Sequence, residues 1–227
     1  MTADRAAVSL LEGLATTRAI RRYTADPIPD EDLAEILWYA GRAPSGTNRQ
    51  PFRFIVLRRG DDVARPAREL LGRSFRASWV SKQADLGVRV GTGAATDGPK
   101  ERMAASMQHY VDHLEETPVI VLVGLERYRG PSPYEGASVY PACQNLLLAA
   151  RALGYGGALT GFHHAVEAEL RELLGVPDGV ALSACITLGV PAGRHGPLRR
   201  KPIADLTHDG RWGRRAEWLD DVDLNRT

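Results

Sequence analysis

Pro118-Val119-Ile120-Val121-Leu122-Val123-Gly124-Leu125 carries no charge and four β-branched side chains. Eight residues are far short of the roughly 18–20 needed to cross a bilayer. β-Branching disfavours helix and suits a pleated surface. Apolar side chains at every position, not alternate ones, mean a strand covered on both faces. Val180-Ala181-Leu182-Ser183-Ala184-Cys185-Ile186-Thr187-Leu188-Gly189-Val190 repeats the pattern, and Phe52 to Leu57 reads as a further strand. Two strands buried on both faces need helices on either side, so the chain predicts an α/β or α+β sandwich around a central sheet.

Outward from those strands the helices follow by periodicity. Ala6 to Thr16 is apolar at Val8, Leu10, Leu11 and Leu14, the pattern of an amphipathic helix. Asp30 is placed to cap a helix with Leu33, Ile36, Leu37 and Ala40 on one face, ending near Gly41. Helical pieces are expected around Arg65 to Phe75 and Glu101 to Leu114, with the glycine-rich stretch Gly87 to Pro99 between them as a mobile flap. Tyr134 to Leu153 predicts a long helix, apolar on all sides and therefore buried, kinked at Pro141 and ended by Gly154, Gly156 and Gly157. Thr160 to Phe162 predicts a short strand before a helix with Leu170, Leu173 and Leu174 inward. No repeat divides the chain. It reads as one domain, 1–227, with 61–116 a helical flap insertion and 203–227 a polar arm whose Trp212 and Trp218 suit docking on a second subunit.

Composition narrows the function classes. With 227 residues, a core needs no staples. Lys and Arg number 29 against 28 Asp and Glu, a net charge of +1 that argues against a general nucleic-acid or membrane-surface binder. The opening Met-Thr-Ala-Asp-Arg lacks the order of a signal peptide. Cys143 and Cys185 sit in apolar runs and read as buried free thiols of a cytoplasmic protein.

Several patterns resemble known chemistry without completing it. His109 and His113 are four apart but lack a third ligand, and read as histidines of a polar helix face. Gly91-Thr92-Gly93-Ala94-Ala95-Thr96 lacks the third glycine of a dinucleotide fingerprint. His163-His164 are expected to open a helix, and Trp38 and Tyr39 to serve core and interface. The stronger signal is distributed. Arg18 and Arg21 flank an N-terminal turn, and Arg199, Arg200 and Lys201 close the last strand's loop. Guanidinium forks of this kind suit phosphate. Pro44-Ser45-Gly46-Thr47-Asn48-Arg49-Gln50 packs hydroxyls and carboxamides into a tight turn that can read the edge of a flat heterocycle.

Four blocks together resemble the FMN-dependent nitroreductase family: Arg18 to Tyr23, Ala43 to Phe54, Asn145 to Gly156, and Ile186 to Pro191 followed by Arg200-Lys201-Pro202. They occur in the family's order over about residues 17 to 202. The resemblance implies an α+β fold with a central, mostly antiparallel sheet flanked by helices. It implies a homodimer with FMN at the interface, Arg18, Ala19, Arg21 and Arg200 holding the phosphate and ring edge, and Ser45 and Asn48 reaching the same FMN from the partner chain. Ala158, Leu159, Thr160 and Gly161 would lie along the isoalloxazine, with a backbone N–H near N5. The implied reaction is ping-pong: NAD(P)H reduces FMN, and an electrophilic acceptor such as a nitroaromatic or quinone is reduced in turn, with no catalytic side chain beyond the cofactor. The implied alternatives are a flavin-binding protein without nicotinamide turnover, for storage or flavin fragmentation, and a reductive dehalogenase. Thr17 and Ala19 depart from the family's usual arginine and serine, and Phe52 stands where tryptophan is common.

Overall fold

The structure, a computed structural model, describes residues 8–87, 98–193, 198 and 200–220. In chain order the regular elements are α1 (Leu10–Thr16), α2 (Asp30–Ala40), β1 (Phe52–Arg58), α3 (Arg65–Leu86), α4 (Pro99–Asp112), β2 (Val119–Glu126), α5 (Tyr140–Ala152), β3 (Gly156–Thr160), α6 (Glu167–Leu174) and β4 (Val180–Gly189). The strands form one sheet in the order β1-β2-β4-β3, and every neighbouring pair is antiparallel. The predicted mixture of helices around an antiparallel sheet is what the chain adopts.

The two central strands explain the sandwich. Val119 to Leu125 are all buried, as the unbroken apolar run requires. Alternate side chains serve opposite faces. Val119, Val121, Val123 and Leu125 join Ala184, Ile186 and Leu188 in a core with α2 and α5. Ile120 and Leu122 join Leu182 and Cys185 in a second core with α3, α4 and α6. Leu71, Phe75, Trp79, Val111 and Leu114 are nearly or fully buried there, so the helices of the 61–116 stretch supply a layer of core. Residues 88–97, including the near-fingerprint at 91–96, lie outside the described residues, as do 1–7, 194–197, 199 and 221–227.

Several local expectations change. Asp30 is the first residue of α2 and does not cap it: Pro29 holds the cap position, and Asp30 to Asp32 supply the acidic first turn that favours a helix N-terminus. The helix expected from Tyr134 begins at Tyr140, after a separate 3₁₀ turn at Glu135–Ser138. Pro141 therefore lies in the first helical turn, where its missing N–H costs nothing, and no kink is needed. The helix expected to stop near Phe75 runs to Leu86. The helix expected from Ala6 starts at Leu10, with the Ser9 hydroxyl accepting from the Glu12 N–H at 3.2 Å. Only Gly154, at φ +85°, belongs to the turn after α5; Gly156 and Gly157 open β3, and the strand expected at Thr160 to Phe162 ends at Thr160. Trp38 and Tyr39 are not core but exposed, as are Leu10, Leu11 and Leu14 of α1.

Candidate functional site

The segment after α1 does not form a regular strand, but it docks on the free edge of β3. Ala19 bridges to Gly157, and the Ile20 N–H donates to the Gly157 carbonyl at 2.9 Å. Glycine makes that approach possible. A Cβ on Gly156 would lie 2.5 Å from Ile20 Cγ1, and one on Gly157 would meet Leu188 and the Thr187 carbonyl at 2.8 Å. The chain then continues along the end of β4: the Thr24 N–H donates to the Val190 carbonyl, and the Ala192 N–H donates to the Arg22 carbonyl.

This docking sets the Arg18 to Arg21 segment against Gly157, the residue that precedes Ala158 to Gly161 in β3. Arg18 and Ala19 are exposed, Arg21 half-buried. Ala158 is buried, whereas Leu159 is 44% exposed on the sheet edge. Because Gly157 turns its carbonyl to the N-terminal segment, the two-residue alternation aims the main-chain N–H of Leu159 the same way, away from β4. That donor lies past the single bridge at Gly157, on open edge. The Thr17 hydroxyl oxygen, next to Arg18, is buried without a hydrogen-bond partner among the described residues. A buried polar atom left unpaired carries a cost, which a ligand's polar edge can relieve. Arg200 is exposed in the loop after β4, and its predicted neighbour Arg199 lies outside the described residues.

Behind the edge runs a chain of hydroxyls that sequence reasoning missed. Tyr23 and Tyr110 each place their phenol oxygen 2.8 Å from Thr187 Oγ1. Tyr23 also donates to the Ile20 carbonyl, and Thr187 lies 3.5 Å from the carbonyl of Ala158. Burial holds both phenols protonated, far above the ordinary tyrosine range. The one available signal was Thr187 itself, a hydroxyl inside a strand buried on both faces, which demands partners.

Ser45 and Asn48 lie elsewhere. Ser45 precedes and Asn48 ends a 3₁₀ turn at Gly46–Asn48 in which Thr47 and Asn48 take left-handed conformations at φ +51° and +52°, as does Gln50 at +52°. The Ser45 hydroxyl accepts from the Gln50 N–H at 2.9 Å, Gln50 Nε2 donates to Asn48 Oδ1 at 3.2 Å, and the Gly46 N–H donates to the Ser138 hydroxyl at 3.1 Å. The turn leads into β1, the edge strand opposite β3. Phe52 aligns with Leu125 and Ala181, whereas Gly157 aligns with Leu188. Seven residues along β4 at about 3.3 Å each put the two corners roughly 20 Å apart along the strands, with the width of the sheet in addition. Within one chain the two predicted halves of the site are therefore diagonal from each other.

The other candidates do not form sites. His109 and His113 stack at 4.2 Å, and no group of three or more metal-ligating side chains occurs among the described residues. His163 lies in a 3₁₀ turn, fully buried, with Nε2 3.1 Å from the Leu182 carbonyl. Cys143 and Cys185 are buried free thiols, each pushed up to about 12 by desolvation and so unsuited to nucleophilic attack. No described helix is long and apolar enough to cross a membrane.

An antiparallel four-stranded sheet sandwiched by helices, with an arginine-bearing segment laid on its β3 edge, defines the class. Residues 14–190 match the model of the Nitroreductase family, and the chain belongs to that family. Its relatives diverge in reaction. An NADH dehydrogenase of Thermus thermophilus is 29% identical, the match covering 82% of this chain and 88% of the relative. A 5,6-dimethylbenzimidazole synthase of Rhodospirillum rubrum is also 29% identical, covering 87% and 86%. Among solved structures, iodotyrosine deiodinase bound to FMN and 3-iodo-L-tyrosine superposes with a TM-score of 0.63 at 25% identity, over 86% of this chain and 96% of the other.

Proposed function

We propose that this chain is an FMN-dependent oxidoreductase that draws electrons from NAD(P)H and delivers them to a small electrophilic acceptor such as a nitroaromatic or quinone. The observation that carries the reading is the β3 edge, where the segment bearing Thr17, with its unpaired hydroxyl, Arg18 and Arg21 docks at Gly157, two residues before an outward main-chain donor. This donor set fits FMN: the arginines suit a phosphate dianion, and the edge amide suits a ring nitrogen that gains electron density on reduction. The FMN phosphate would be held by Arg18, Arg21 and Arg200, with Ala19, Ala158, Leu159, Thr160 and Gly161 along the ring. Bound there, FMN supplies the exchange of two electrons between nicotinamide and acceptor. The protein's part is to bind, to orient and, through the Leu159 N–H, to favour the reduced state. The half-exposed Leu159 side chain gives the ring an apolar neighbour that limits water on that side.

Ser45 and Asn48 reach such a ring only from a second chain, because in their own chain they occupy the opposite corner. The reading is therefore a homodimer. A groove of about 550 Å³ between α1, α2 and α5, lined by Leu10, Tyr39, Leu148 and Leu153, offers the apolar surface that the second copy would cover. Two buried free thiols and the family's chemistry suit a reducing, cytoplasmic setting.

The test is direct. FMN-loaded protein mixed with NADH or NADPH without oxygen is expected to bleach at once, and the colour to return on adding a nitroaromatic or quinone. A second reading, flavin chemistry without nicotinamide turnover or reductive dehalogenation, draws on the equal likeness to the dimethylbenzimidazole synthase and the similarity to iodotyrosine deiodinase. A fully loaded protein whose flavin band stays unmoved by either nicotinamide would favour it over the first.

A further inference from the structure

The hydroxyl chain behind the β3 edge runs in one direction, and it ends on the segment that carries the arginines. The Ile20 carbonyl can only accept, so the Tyr23 phenol, 2.5 Å away, gives its proton there. Its oxygen then accepts from the Thr187 hydroxyl at 2.8 Å. Tyr110, whose one hydrogen bond among the described residues is to Thr187, donates to that hydroxyl's oxygen at 2.8 Å. Longer contacts, Tyr23 to the Thr187 carbonyl at 3.3 Å and Thr187 to the Ala158 carbonyl at 3.5 Å, are secondary. Each proton is thereby used once, in the order Tyr110, Thr187, Tyr23, Ile20.

The anchors of this chain are fixed. Thr187 is fully buried and Tyr110 nearly so. The Tyr23 ring is pressed on the last residue of β4: a Cβ on Gly189 would lie 2.8 Å from Tyr23 Cδ1. Ile20 is held from both sides, its N–H donating to the Gly157 carbonyl at 2.9 Å and its carbonyl accepting from Tyr23. The backbone between Arg18 and Arg21 is therefore pinned at its middle, although the segment forms no regular strand. Arg21 itself lies within electrostatic reach of both phenols.

Resting on the FMN reading, we infer that Tyr23 and Thr187 are positioning residues for the FMN phosphate: their hydroxyls tie the Arg18 to Arg21 backbone to buried β4, so that its guanidiniums meet the phosphate already ordered. Donors fixed before binding lose less freedom when the anion arrives. The benefit falls on the phosphate, because the ring's main-chain donor in that reading, the Leu159 N–H, is held by β3 and its pairing with β4.

Fluorescence titration of the full chain with FMN and with riboflavin tests the role, since the two flavins differ only in the phosphate. The preference for FMN over riboflavin is expected to fall at least tenfold in Tyr23→Phe, to fall in Thr187→Val, and to return to the native value in Thr187→Ser, which restores the hydroxyl. A general loss of stability would weaken both flavins alike. A preference left unchanged by Tyr23→Phe or by Thr187→Val therefore overturns the assignment, even where urea unfolding shows the variant to be less stable. Should Tyr23→Phe not fold, the valine and serine variants at position 187 decide. Failure of the FMN reading looks different: a native chain that binds neither flavin, or binds both equally, sinks the phosphate site before any variant is made.

Discussion

Arg68 shows how much one residue can hold together without touching the candidate site. It is 4% exposed, and its guanidinium donates to the carbonyls of Leu57, Glu115 and Thr117, joining the end of β1 to the turn that precedes β2. Desolvation, with Arg59 nearby, holds its pKa down to about 10, still charged at neutral pH. Arg68→Met would leave those acceptors buried and unpaired, so a loss of about 3–5 kcal/mol is expected in urea unfolding, the range for breaking a buried charged network. His163 acts in the opposite sense. Desolvation lowers its pKa below 6.5, with His164 adding repulsion and Glu167 opposing it, and its Nδ1 has no hydrogen-bond partner among the described residues. The unfolded state thus takes up a proton near pH 6.5 that the folded state refuses until lower pH. Stability from this residue is complete above about pH 6.5 and is lost as pH falls through the window below it. Urea midpoints at pH 7.5 and 5.5 should show the drop, and His163→Gln should reduce it.

At the scale of elements, the hydroxyl chain from α4 through β4 to the N-terminal segment joins three parts that are distant in sequence. Thr187→Val strands the buried Tyr110 hydroxyl and is expected to cost about 1–3 kcal/mol. Adding Tyr110→Phe should restore part of that loss, since removing both partners is cheaper than removing one. A double-mutant cycle with additive losses would refute the coupling. Elements were also where local pattern misled. Pro141 looks like a helix breaker until the helix is seen to begin at Tyr140. Gly156 and Gly157 look like a helix stop, yet they are needed where Ile20 and Leu188 crowd the strand. Neither reason is local, so neither could be read from neighbouring residues.

For the whole molecule, the proposed reading makes FMN binding depend on assembly, because Ser45 and Asn48 stand diagonally across the sheet from the β3 edge. Leu148→Glu puts a charge in the groove between α1, α2 and α5 and is expected to give a monomer by light scattering together with loss of FMN. A monomer that keeps its flavin would refute the shared site. Arg200→Ala should leave assembly intact and weaken FMN binding by about 1.5–3 kcal/mol, the range for hydrogen bonds to a charged group, and fluorescence titration measures it.

Hydrophobic pattern was sufficient for the two central strands and for the presence of the helical layers, because β-branching and apolar periodicity act between near neighbours. It left open how those segments meet. That the Arg18 to Arg21 stretch lies on β3 and that Ser45 and Asn48 stand at the far corner both depend on strand order and register. Strand order and register arise from pairing between residues 25 to 73 positions apart, which no short window of sequence contains.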